Sequence, residues 1–205
     1  MDYLVTMTTH VPAGTSDAAV QAIRAREAVR SRELATRGHL LRLWRPPLQP
    51  GEWRTLGLFA ADDGAQLEEI LASMPLRVWR TDEVTPLSPH PDDPALQAER
   101  PRPPAAEAGD TAAEFLTAFT VTVPAGTSGA AGDAATAGDA GRGRGLAAQG
   151  HLLRLWTLPG EGRALGLWRA RDAAGMREIV ASLPLLSAQT TPLTPHPSDP
   201  ALTGT

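Results

Sequence analysis

Residues 23–45 read IRAREAVRSRELATRGHLLRLWR, a charged helical stretch that stops at Gly38 and runs directly into a short strand. At about 100° per residue, Ala19, Val20, Ile23, Glu27, Arg30 and Leu34 fall on one helical face, and Arg24, Ser31 and Arg32 are read as pointing elsewhere. Glu27 therefore interrupts an apolar stripe. A carboxylate on a core-facing stripe must be paired, hydrogen-bonded or protonated, because burying it alone costs several kcal/mol or more. Arg30, one turn on, is the nearest partner in sequence. A buried structural ion pair and a catalytic acid–base group both fit this pattern.

Working outward, residues 3–9 alternate as a strand, Pro12-Ala13-Gly14 breaks it, and Thr15, Ser16 or Asp17 can cap the helix. The helix is expected to run to about Arg37, with Gly38 as its left-handed terminator. Strands follow at residues 39–45 and 53–60, a second helix at 63–73 stopped by Pro75, and a fourth strand at 78–85. The order βαββαβ is that of an α+β, ferredoxin-like sandwich with both helices on one face of an antiparallel sheet.

The whole pattern occurs twice. YLVTMTTHVPAGTS at residues 3–16 returns as FLTAFTVTVPAGTS at 115–128, and GHLLRLW at 38–44 returns at 150–156, each 112 positions on. TPLSPHP at 85–91 returns as TPLTPHP at 191–197. The domains read from this are residues 1–96, a proline- and alanine-rich linker at 97–113, and a second copy at 114–202. Each copy is small for an independent core, and two such sheets can close face to face, so an intramolecular pseudo-dimer forming one α/β barrel is expected. The second copy is eroded: Asp139 stands at the position of Glu27, and six glycines from Gly129 to Gly145 weaken its first helix.

Composition narrows the chemistry. The net charge of -4, with no basic run carrying interleaved aromatics, argues against a nucleic-acid partner. The absence of cysteine removes disulfides, thiolate nucleophiles and cysteine metal sites, and five scattered histidines form no ligand spacing. All 19 basic residues are arginine, as a GC-rich genome produces, which removes Schiff-base chemistry through lysine. No apolar run is long enough to span a membrane and no signal pattern opens the chain, so a cytoplasmic location is expected.

The motifs Ala25-Arg26-Glu27, RGHLLRLWR at 37–45, Gly57-Leu58-Phe59, Met74-Pro75-Leu76 and VTPLSPHP at 84–91 together resemble the muconolactone delta-isomerase family. The resemblance covers the first copy and, with its first helix eroded, the second. It implies a ferredoxin-like barrel that assembles into pseudo-dimers or higher homo-oligomers without cofactor or metal. It also implies an allylic proton shift in a small unsaturated lactone of aromatic catabolism, in the 3-oxoadipate pathway. Glu27 matches the family's first-helix glutamate and is the implied proton carrier. Where members carry lysines on that helix, this chain has arginines.

For such a shift, strand alternation is read as placing Leu41 and Leu43 toward the helices and Arg42 and Trp44 on the other face; the opposite assignment would point His39 and Arg45 inward. Arg42 can clamp a substrate carboxylate or pair with an acid across the strands, and Trp44 can be core or a ligand platform. His39 either meets carbonyls at the helix end or takes part in catalysis. His90 lies in a proline-rich tail read as unable to join a sheet interior, which the resemblance implies lies across a neighbouring subunit, so His90 and His196 either cap a pocket or dock the tail. Glu27, with Arg42, Trp44, Arg30, His39 and His90 binding substrate, is the expected site. Two other functions fit the same residues: a repurposed barrel acting as a biosynthetic isomerase, cyclase or cofactor-free oxygenase, and a non-catalytic ligand-binding protein.

Overall fold

The computed structural model describes residues 1–96, 112–121, 141–183 and 186–203. Most of the expected linker, and Asp139, lie outside the described residues. The chain is α+β, and its eight described strands pair antiparallel throughout. It divides into two compact units, Met1–Leu87 with Thr194–Thr205, and Ser88–Leu193. The units do not coincide with the repeats, because each includes the proline-rich tail of the other copy.

The first unit begins with β1 (Asp2–Thr9), whose Tyr3, Val5 and Met7 are buried in alternation. Ser16 caps α1 (Asp17–Thr36), its Oγ accepting from the Ala19 N–H at 3.3 Å. Gly38, at φ 75°, ends the helix, and the His39 N–H returns to the Leu34 carbonyl at 2.9 Å. Next come β2 (Leu40–Arg45), β3 (Arg54–Ala60) and α2 (Gly64–Ala72), the last capped by the Asp63 carboxylate. The sheet order is β4, β1, β3, β2, with Thr194 and Pro195 beside Arg45 and Trp44 at its end. Both helices cover one face, where Leu34, Leu67, Ile70 and Leu71 pack on Tyr3, Val5, Leu40, Leu43 and Phe59. Gly57 leaves room for the Phe59 ring and the Met7 methyl to cross the strand, where any Cβ would collide with them.

Three local expectations change. Ser31, not Arg30, completes the buried face of α1 beside Ile23 and Leu34, being 1% exposed; four residues return to within about 40° of Glu27, closer than three do. A bulge between Leu40 and Arg42 puts Leu40 and Leu43 together in the helix-facing core, with Leu41 outside it. The fourth strand starts later and runs further than expected. Pro75–Trp79 is a 3-10 turn, and β4 is Arg80–Pro89. The tail thus does enter a sheet: Ser88 and Pro89 pair with Thr157 and Trp156 in the second unit.

The second unit repeats the plan with β5 (Ala113–Val121), which takes the last residue of the expected linker, and α3, helical over residues 141–148. It continues through β6 (Leu152–Thr157), β7 (Arg163–Ala170), α4 (Ala173–Ala181) and β8 (Leu186–Pro195), in the order β8, β5, β7, β6. Phe115, Phe119, Leu152, Trp168 and Met176 form its core. Gly141, Gly143 and Gly145 are helical despite their propensity. Among the described residues no helix is long and apolar enough to cross a membrane.

Candidate active site

The first unit holds a cavity of about 190 Å³ at the end of the α1–sheet layer. Glu27, Ser31 and Arg24 line it from α1, Thr9 from β1, Arg45 from β2 and Thr55 from β3. Met74, Leu76 and Arg80 close another side, and His196, Pro197 and Ser198 come from the C-terminal tail.

Glu27 is the buried acid of this cavity, its side chain 13% exposed. Its Oε2 accepts the Leu76 N–H at 2.8 Å, and its Oε1 accepts from Arg80 at 3.2 Å. Each carboxylate oxygen offers two lone pairs, so acceptor capacity remains for a proton from a ligand. Burial raises the carboxyl pKa above its ordinary 4.5, against the Leu76 hydrogen bond and the Arg80 charge, which lower it. Arg80 acidifies Glu27 less than a lone guanidinium would, because Asp82 shares it. Arg80 and Asp82 are each 2% exposed and meet fork to fork, at 2.6 and 3.0 Å. The Asp82 charge itself pushes the Glu27 pKa upward. Arg77 donates to Asp82 at 2.7 Å from the other side.

The remaining expected residues are dispersed. Arg30 is not the partner of Glu27; it pairs with Glu33 on the same helix at 2.8 Å and donates to the Ser73 hydroxyl at 3.0 and 2.8 Å. Arg42 and Trp44 share a face as expected but do not line the cavity. Arg42 stacks 4.9 Å above Trp44 and grips the fully buried Asp199 at 3.1 Å. Arg154 does the same in the second unit, 4.7 Å above Trp156 and 3.2 Å from Asp93. The repetition marks a clamp for the tail. The His39 imidazole meets the Ala60 carbonyl on β3 at 3.1 Å, while its backbone N–H meets the helical Leu34 carbonyl as expected. His90 lies in the second unit, its Nδ1 accepting the Asp92 N–H at 3.1 Å.

Sequence reasoning misses Arg80 and Asp82 outright, turns Arg24 and Ser31 away from the site, and admits Arg45 only under the opposite strand assignment, whereas His196 is among its pocket-cap candidates. One signal for the first two lay in the repeat. Thr9 pairs with Arg80 and Met7 with Asp82, while the equivalent Val121 pairs with Leu186 and Phe119 with Ala188. The first copy carries an inward ion pair where the second carries apolar side chains. Likewise Thr157 stands for Arg45 and Gly162 for Trp53.

The fold and its acid-lined cavity define a duplicated ferredoxin-like α+β protein. The sequence profile of muconolactone delta-isomerase matches residues 1–93 and 113–199, and the chain belongs to that family. No match is found among curated proteins. Among solved structures, the chain is similar to a haem-binding protein from Thermus thermophilus, at TM-score 0.57 and 12% identity over 98% of this chain and 93% of that one. It is also similar to a variant chlorite dismutase from Candidatus Nitrospira defluvii, at TM-score 0.59 and 10% identity over 95% and 91%. At such identities the likeness is one of fold. The cavity does not suit a haem: at about 190 Å³ it is smaller than the ~300–1,000 Å³ of drug-sized sites, and its one imidazole, His196, stands 3.5 Å from the Arg45 guanidinium.

Proposed function

We propose that the chain is an isomerase that moves a proton within a small unsaturated lactone, as the family's description suggests, without metal or organic cofactor. The observation that carries this is Glu27, a buried carboxylate of raised pKa lining a small cavity. Its carboxylate takes a proton from an allylic carbon, the double bond shifts, and the protonated acid returns the proton to the far end of the allylic system. Electrons and atoms balance without an oxidant. A carboxylate whose pKa is raised toward neutrality is matched to both halves of this transfer. Arg24, which lines the same cavity, supplies positive charge for the dienolate oxygen as it forms.

The cavity's size favours a small substrate, since a water molecule takes about 30 Å³ of liquid. The second copy then serves to complete the fold, for it lacks the counterparts of Arg45, Arg80 and Asp82. Closure of the two repeats into one barrel belongs to the same proposal, supported by each compact unit including the tail segment of the other copy. The test is purified protein with muconolactone followed by ultraviolet absorbance. Turnover above background is expected, and none would remove the proposal.

A further inference from the structure

The imidazole of His196 is set in a way that fixes its protonation. A backbone N–H can only donate, and the Ser198 N–H points at His196 Nδ1 from 3.1 Å. Nδ1 is therefore the acceptor, and the neutral ring carries its proton on Nε2. Desolvation, followed by the charges of Arg45 and Arg24, lowers its pKa to about 4. The ring is neutral at ordinary pH.

That tautomer makes the neighbouring contact informative. Arg45 Nη2 lies 3.5 Å from His196 Nε2, and both atoms carry hydrogens, so the pair is two donors side by side and no hydrogen bond. Both side chains line the cavity. Arg45 makes no ion pair among the described residues, and the two contacts of the Glu27 carboxylate go to Leu76 and Arg80. What resolves two adjacent donors, one of them cationic, is an anionic acceptor.

We propose that Arg45 and His196 form the anchoring point for a carboxylate group of the ligand, with Nε2–H of His196 as a neutral donor beside the guanidinium fork. The tail holds the imidazole for this task. The His196 N–H donates to the Leu43 carbonyl at 2.9 Å, the Asp199 N–H donates to the His196 carbonyl at 2.7 Å, and Arg42 clamps Asp199. In the second unit the same turn recurs, with the Asp92 N–H on His90 Nδ1, but Thr157 replaces Arg45 and the cationic half is lost. The anchor thus joins a strand of the first repeat to the tail of the second. It rests on the cavity being the substrate site and assigns the residues that hold the carboxylate which a muconolactone-type substrate carries.

The test uses the full chain with ¹⁵N-labelled histidine, His196 being assigned by the signal lost in His196→Gln, and crotonate as the probe. Between pH 5.5 and 8, on the order of one unit or more above the lowered pKa, His196 is expected as the neutral Nε2–H tautomer. Its signal should shift saturably with crotonate and not with crotonamide. Arg45→Lys, which keeps the charge but loses the fork, should weaken crotonate severalfold, and Arg45→Gln about tenfold or more. An Nδ1–H tautomer, a His196 signal indifferent to crotonate, or unchanged affinity in both Arg45 variants would overturn the anchor. Because crotonate binding is read without turnover, these outcomes stand apart from failure of the isomerase proposal.

Discussion

Glu27 was legible because a charge on an apolar stripe is conspicuous, and its partner was not, because Arg80 lies 53 residues away on another element. Its raised pKa carries a sign that can be measured. The folded protein disfavours ionised Glu27, so the cost to stability is present above the folded pKa and vanishes below the unfolded value near 4.5. Glu27→Gln can keep the Leu76 hydrogen bond through its amide oxygen, and Arg80 retains Asp82. Its melting temperature at pH 7 should equal or exceed that of the parent, with any gain fading as pH falls through about 4.5, as a thermal melt series would show. His196 has the opposite dependence on acid. Its lowered pKa leaves stability intact above about 6.5 and removes it as pH falls toward 4. His196→Gln should therefore lose less melting temperature than the parent between pH 6.5 and 4, and a parallel decline would refute the assignment.

At the scale of elements, the strand and helix order was readable from period and punctuation, and two things were not. The β2 bulge inserts a residue that alternation cannot register, and β4 begins late because Pro75 opens a 3-10 turn. The pair on β4 also explains why the same strand position tolerates such different residues in the two copies. Arg80→Leu alone leaves Asp82 buried with only Arg77, and should cost about 3–5 kcal/mol. Arg80→Leu with Asp82→Ala copies Leu186 and Ala188 of the second unit and frees Arg77 to Glu68, which it already meets at 2.7 Å. The double variant should recover most of the melting temperature while turnover stays low, because Glu27 has lost the group that fixes Oε1. A double variant no more stable than Arg80→Leu would show that the pair does not act as a unit.

For the whole molecule, the duplication and the erosion of the second copy were plain in the sequence. The family resemblance implied a tail lying across a neighbouring subunit, but the residues that hold it were hidden, since the clamp of Arg42 on Asp199 spans 157 residues. The two clamps separate structure from function. Asp199→Asn and Asp93→Asn should each lower stability, by up to about 3–5 kcal/mol as for other broken buried pairs, but only Asp199→Asn should raise KM, because it loosens the tail that carries His196. The claim beneath all of this is that Glu27 carries the proton. Incubation with muconolactone in D₂O, followed by NMR, reads that step directly. The parent should exchange and isomerise the lactone, and Glu27→Gln should do neither while remaining folded. Parental exchange rates in Glu27→Gln would show that Glu27 is a buried structural acid and that the proton carrier lies elsewhere.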